Sequence, residues 1–192
     1  MENLPAEEKK TSLASQKKRF REIFQKKREA LSSEERFQAK KSLANNLFPQ
    51  LEKYDFILSF CSFSTEIDTL DLNIFLSKRK KLLLPLIVKN EMHIFFVKNP
   101  EKQLQPNRWG ILEPIESRCA RVSLSEISFI LTPGLSFDLY NNRLGYGRGF
   151  YDRMLKKLPA CPKYGLGFLE QFSPIPIPAG KNDISLTGIF LF

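Results

Sequence analysis

Near the C-terminal end the chain reads Asn142-Arg143-Leu144-Gly145-Tyr146-Gly147-Arg148-Gly149-Phe150-Tyr151-Asp152. Three glycines alternate with large side chains, two arginines flank them and an acid closes the segment. Glycine leaves backbone N–H groups uncovered and tolerates positive φ. Such a loop can fold into a concave nest of donors that holds an anion. Arginine adds a planar fork suited to phosphate oxygens. A neighbouring acid suits Mg2+, which takes oxygen ligands and usually travels with phosphates. These residue types together suggest chemistry on a nucleotide phosphate. Alternating glycines also occur in tight hairpins and close helix–strand contacts that hold no ligand. The arginines and the acid weigh against that plainer reading.

The elements that must position this loop are legible from periodicity. Residues 1–12 are polar and are expected to be flexible or frayed. From Ser15 to Ala30, Phe20, Ile23 and Phe24 recur at helical spacing among lysines and arginines, which predicts an amphipathic helix. Ser32 or Ser33 restarts a second helix with acids in its first turn, stopped by Pro49. Strands are predicted over Tyr54–Phe60, Lys81–Val88, Met92–Val97, Ile127–Thr132, Tyr164–Phe168 and Ser185–Phe190. Helices are predicted over Ile67–Lys78, opened by Asp68 or Thr69, and over Gly149–Lys157. The turn between the second and third strands is Lys89-Asn90-Glu91. Residues 98–125, with Pro100, Pro106 and Pro114, read as irregular. Strands alternating with helices predict α/β layers around a mostly parallel sheet, with ligands at the carboxyl ends of its strands.

Composition narrows the classes. A chain of 192 residues suits one domain with a real core. No apolar run is long enough to span a bilayer, and the charged N-terminus has no apolar core of a secretory signal. Cytoplasmic residence is the default expectation. Cys61, Cys119 and Cys161 are an odd, widely spaced set that reads as free thiols. The net charge of +9 fits nucleic-acid binding or an anionic small substrate. A solvated helix face accounts for most of the basic run Lys9–Lys41. The single histidine, His93, reads as a surface residue and not a catalyst.

Phe137-Asp138 followed by the Asn142–Arg153 segment resembles the signature of the 5-formyltetrahydrofolate cyclo-ligase (5,10-methenyltetrahydrofolate synthetase) family. Further segments agree in order: the basic first helix, Ser64–Thr69, Trp109–Pro114, Pro133-Gly134, Gly167-Phe168 with Glu170-Gln171, and Asn182-Asp183. The likeness runs from about Lys17 to Asp183. It implies a three-layer α/β/α, Rossmann-like fold of the sugar-phosphate isomerase/CoA-transferase type. It also implies an ATP- and Mg2+-dependent conversion of 5-formyltetrahydrofolate to 5,10-methenyltetrahydrofolate, ADP and phosphate. The formyl oxygen attacks the γ-phosphate, and N10 then closes the activated iminium phosphate.

The same likeness assigns roles. Lys17 and Arg21, four apart on one helical face, join Arg143, Leu144, Gly145, Tyr146, Gly147, Arg148, Gly149, Phe150 and Tyr151 around ATP. Arg148 and Tyr151 are expected to take part in catalysis. Glu66 is expected to accept paired hydrogen bonds from the pterin. Cys61, Trp109, Tyr146 and Phe150 are expected to line the folate pocket, with Trp109 stacking on the pterin. Asp152 and Asp183 are expected to hold Mg2+, although the loop before Asp183 is one residue longer than the pattern. Asn141 stands where the family often has glycine, and asparagine tolerates positive φ. Arg148 replaces a frequent glycine or lysine, and an acid often seen after Asp183 is missing. The expected working unit is a monomer acting on a small folate, possibly polyglutamylated, with no nucleic-acid or membrane partner. The alternatives are a basic nucleic-acid-binding module and a sugar-phosphate isomerase- or CoA-transferase-like enzyme.

Overall fold

The computed structural model describes residues 12–192. The expectation of a frayed 1–12 falls outside that range except at Ser12, which is ordered into a cap. Its hydroxyl accepts from Ser15 N at 3.3 Å and opens α1 (Leu13–Glu29), two residues before the expected start. Lys26, Lys27 and Arg28 lie in the last turn, where positive charge suits the helix dipole. α2 (Ser33–Leu51) opens with a capping box: Glu35 N donates to the Ser32 hydroxyl and Ser32 N to the Glu35 carboxylate. Pro49 does not stop it. So near the end the missing N–H removes only one bond, and fully buried Leu47 and Leu51 keep the last turn docked.

The helices that follow are α3 (Leu70–Lys78), α4 (Pro100–Gln103) and α5 (Phe150–Leu155). The strands are β1 (Ile57–Leu58), β2 (Leu82–Val88), β3 (Glu91–Phe96), β4 (Leu104–Pro106), β5 (Leu112–Pro114), β6 (Ala120–Val122), β7 (Phe129–Thr132), β8 (Ser136–Asp138), β9 (Arg143–Leu144), β10 (Lys163–Gly167), β11 (Phe172–Ser173) and β12 (Gly188–Leu191). Seven of them form one sheet in the order β12-β10-β7-β1-β2-β3-β6. The first five run parallel, and β3 and β6 are antiparallel additions. The mixed α/β fold with a mostly parallel central sheet is as expected.

Neighbouring residues of the central strands feed two different cores. Ile57, Leu82, Leu84, Phe129 and Leu131 pack with Leu43, Leu47, Leu72 and Leu76 of α2 and α3. Leu58, Leu83 and Ile130 pack with Phe137, Met154 and Leu155. Alternation along a strand puts successive side chains on opposite faces, so a strand buried on both faces reads as an unbroken apolar run. β1 shows which force dominates. It is two residues long where seven were expected, and each ladder bond adds only about 1 kcal/mol net. Ile57 and Leu58 are both fully buried, worth about 1.5–3 kcal/mol apiece. Burial of each residue outweighs a single ladder bond, and a strand this short holds because it is paired on both sides and buried on both faces.

The expected irregular stretch 98–125 holds α4, β4, β5 and β6, each too short to show a period. The β2–β3 turn is tighter than expected: Lys89 and Asn90 take positive φ (47° and 68°) and Glu91 already pairs with Val88. A separate sheet, β11-β8-β9, was not foreseen. Phe137 of β8 anchors it. Its fully buried ring lies where side chains at Gly134 and Gly165 would stand, 2.7 and 2.3 Å from the positions their Cβ atoms would take. His93 is not a surface residue: it sits on β3, half-buried, with Nδ1 enclosed and without a partner among the described residues.

Candidate active site

β1 connects onward to β2 on one side, whereas the next strand on its other side, β7, leads to β10. In open α/β sheets such a reversal leaves a crevice at the carboxyl ends of the two diverging strands. Phe60 and Cys61 follow β1, Pro133 follows β7, and all three line a cavity of about 530 Å3. β1 ends early, so beyond Leu83 the side of β2 facing it has no partner strand. Pro85 sits there, at a position where a missing N–H costs no ladder bond. Pro85, Ile87 and Met92 of the β2–β3 hairpin form an apolar wall of the cavity.

The loop after β1 is pinned from below. Thr69, buried at the start of α3, donates from its hydroxyl to Phe60 O at 2.7 Å, and Asn73 Nδ2 donates to the same oxygen at 3.0 Å. Ser64 takes φ 53°, turning the chain so that Glu66 Oε2 accepts from Phe63 N at 2.8 Å. Glu66 Oε1 accepts from the Tyr146 hydroxyl at 2.8 Å. That hydroxyl accepts in turn from Arg28 Nη2 at 2.8 Å. Burial pushes the Glu66 carboxyl above its ordinary range, against the opposing pull of Phe63 N–H, Tyr146 and the Arg28 charge. Burial likewise raises the Tyr146 and Tyr151 hydroxyls, helped by the Glu66 charge, so both phenols stay protonated. The Cys61 thiol is pushed up to about 12 by burial and Glu113, which makes it an inert wall.

The glycine loop leaves β9 and enters α5. Gly147 (φ 102°) and Gly149 (φ 65°) hold conformations that L side chains seldom adopt. Asn141, in the preceding turn, takes φ 59° as its identity suggested. The fully buried Asp138 organises that turn, accepting from Tyr140 N and Asn142 N on one oxygen and from Asn142 Nδ2 and Ile177 N on the other. From α1, Arg21 Nε donates to Gly145 O at 2.9 Å, and its guanidinium lies against the bare face of Gly147. Arg148 is exposed, and among the described residues its guanidinium makes no hydrogen bond.

The two acids are engaged. Asp152 Oδ2 accepts from Arg143 Nη2 at 3.1 Å and its Oδ1 from Ile184 N at 3.2 Å. Arg143 is buried, and its other terminal nitrogen donates to Pro133 O. Its fork therefore braces the site instead of standing free for phosphate. Asp183 accepts from Lys17 Nζ and Gly180 N. Partial burial opposes its ionisation, but Lys17 and the Gly180 N–H outweigh it and hold the carboxyl below its ordinary range. Asp183 Oδ1 has no partner among the described residues. No cluster of three or more His, Cys, Asp or Glu occurs among them. Two acids without a third suit a Mg2+ that arrives with phosphates, not a cage built by protein alone.

All sixteen residues expected at the site line this one cavity, from Lys17 and Arg21 of α1 to Asp183 near β12. Trp109 is half-exposed on a loop set by Asn107, whose Oδ1 accepts from Trp109 N and Ile111 N. The reading missed the apolar hairpin wall, Glu113 and Arg28. Arg28 had a signal: it continues the Lys17, Arg21, Phe24 stripe at helical spacing. His93 lies outside the lining.

A family model described as "5-formyltetrahydrofolate cyclo-ligase family" matches residues 13–191. The chain is 33% identical over 182 residues to a 5-formyltetrahydrofolate cyclo-ligase of Haemophilus influenzae, covering 91% of this chain and 97% of that one. It is 28% identical over 195 residues to the mouse (Mus musculus) enzyme of the same name, covering 91% and 93%. The solved structure of Aquifex aeolicus 5,10-methenyltetrahydrofolate synthetase superposes with a TM-score of 0.78 at 34% identity, covering 90% of this chain and 88% of that one.

Proposed function

The chain belongs to the 5-formyltetrahydrofolate cyclo-ligase family, and on that premise we propose how its cavity carries out the ATP-dependent closure of 5-formyltetrahydrofolate to 5,10-methenyltetrahydrofolate. The observation that carries the reading is convergence. Four separated segments, α1, the loop after β1, the glycine loop and the Asp183 segment, bring an acid anchor and a cationic cradle to one cavity.

The cradle takes the triphosphate. Backbone N–H groups around Gly147 and Gly149, the Arg148 guanidinium, Arg21 and Lys17 supply fixed positive character where charge develops. Mg2+ bound with ATP would be held at Asp183 Oδ1 and beside Asp152, and would neutralise phosphate charge. The pterin lies against the hairpin wall, its amino and ring N–H groups donating to Glu66 and its face meeting Trp109. In this pose the formyl oxygen attacks the γ-phosphorus as the bond to ADP breaks, and N5 becomes an iminium. N10 then bonds to the formyl carbon and loses its proton. The carbon–oxygen bond breaks and the oxygen leaves with phosphate. Tyr151, kept protonated by its surroundings, can donate a hydrogen bond to the oxygen being transferred. The protein's contribution is placement and charge, as in phosphoryl transfer generally.

Two core clusters on opposite sheet faces support the three-layer, Rossmann-like reading. The working unit we infer is a monomer. No helix among the described residues is long and apolar enough to cross a membrane. The test is spectrophotometric: protein, ATP, Mg2+ and 5-formyltetrahydrofolate are mixed and the absorbance of the methenyl product is followed. The product forms only with ATP; no ATP-dependent product would end the reading.

A further inference from the structure

Arg28 is a charged side chain only 2% exposed. Its Nε donates to Thr65 Oγ1 at 2.9 Å and its Nη2 to the Tyr146 hydroxyl, while Nη1 is enclosed without a partner among the described residues. Among the described residues no carboxylate touches it directly. The nearest anion along its hydrogen bonds is Glu66, one phenol away. A buried cation without compensation is destabilising, so the pair is best described as a guanidinium and a carboxylate bridged by a tyrosine hydroxyl. That tyrosine belongs to the glycine loop, between Gly145 and Gly147.

We propose that Arg28 is a positioning residue for the folate anchor: through the Tyr146 hydroxyl it keeps Glu66 ionised and aimed, which makes the glycine loop part of folate recognition. The inference rests on the cyclo-ligase reading of the cavity and adds a residue to it. Its chemistry is simple. Only an ionised Glu66 offers two acceptor oxygens to a pair of N–H donors. Burial drives the acid towards protonation, and three groups oppose it: Phe63 N–H, the Tyr146 hydroxyl and the Arg28 charge. The other charged or titratable groups around it are Arg36 of α2, which donates to Thr65 O at 2.9 Å, and Tyr151 of α5, which stays neutral. Neither bonds to the carboxylate. Removing the hydroxyl or the guanidinium therefore leaves Glu66 to protonate at a higher pH, and folate binding fails from the acid side earlier.

The experiment measures folate KM, ATP KM and kcat from mildly acidic to mildly basic pH in the parent, Tyr146→Phe, Arg28→Lys and Arg28→Met. Quenching of Trp109 fluorescence by folate at each pH supplies binding without turnover. Tyr146 is 47% exposed, so Tyr146→Phe keeps the inference testable if an Arg28 variant does not fold. Expected is a rise of about tenfold in folate KM near neutrality for Tyr146→Phe and Arg28→Met, the loss of one charge-assisted bond. The acid limb should move to higher pH, Arg28→Lys should fall in between, and ATP KM should change by less than about threefold. A folate KM that rises equally at every pH, with the limb unmoved, would mean a merely structural contact and overturns the proposal. So does an unchanged KM. A parent that cyclises normally while the variants show no shift sinks this inference alone. A parent that neither cyclises nor binds folate sinks the cyclo-ligase reading and this inference with it.

Discussion

The two halves of the cavity are built differently. On the side we assign to the pterin, Glu66 has both oxygens occupied, the phenols beside it are protonated, and the floor is apolar. On the side we assign to the triphosphate, Arg148 is exposed, and two loop residues have positive φ. The contrast follows from the ligands. A pterin is flat and nearly neutral, so it is told apart by a few aimed hydrogen bonds in a dry pocket, where an unmet partner is costly. A triphosphate carries charge that attracts cations over several ångströms, so an exposed arginine and a bare backbone suffice. One side presents a carboxylate already fixed by its neighbours; the other presents exposed positive charge and bare backbone.

Substitutions can break or sharpen that contrast. The largest effect is expected on the Glu66 side. Glu66→Ala should raise folate KM by roughly a hundredfold or more, the loss of two bonds to a charged acceptor, with ATP affinity little changed in a titration of each ligand. Next is Gly147→Ala. A methyl group there would be strained at φ 102° and would stand 3.3 Å from the Arg21 guanidinium, so ATP KM should rise by roughly fivefold to thirtyfold, for strain of about 1–2 kcal/mol. Folate binding, followed by Trp109 fluorescence, should hold. Arg148→Ala should weaken ATP by about tenfold, and the deficit should shrink as salt is added because the residue is exposed. A deficit that ignores salt would mean that this arginine is also fixed in place.

The smallest effect is on stability. Asp183 has its carboxyl held below the ordinary range, so the bond to Lys17 stabilises the fold at neutral pH and that gain is lost as pH falls through the lowered value. Asp183→Asn should therefore lower Tm by a few degrees at neutral pH, for about 1 kcal/mol lost, and by progressively less in acid. A Tm deficit that persists in acid would point to a packing defect instead.

Much of the phosphate side was legible because its chemistry is local. Glycines, arginines and an acid follow one another within the Asn142–Asp152 segment, and the Lys17–Arg21 pair lies on one helix face. The family pattern then added Glu66 and Asp183. The Glu66 side was harder to read. Arg28 looks like any of its basic neighbours until α2 and the loop after β1 bury it, and Pro85, Ile87 and Met92 look like core until β1 stops short. Strand limits failed for the same reason: a run such as Tyr54–Phe60 records burial, and only the partner strands decide which residues pair. The sheet of β8, β9 and β11 left no periodic trace, because each piece spans two or three residues.

The Phe137 ring occupies the space a side chain at Gly165 would need, with no slack to share. The two positions can therefore change only in sequence. A smaller residue must first replace the phenylalanine, opening a hole, and only then can an alanine at 165 refill it; the reverse order passes through a chain that does not close. Either step alone is expected to harm the protein while both together partly restore it, so the two positions are energetically coupled.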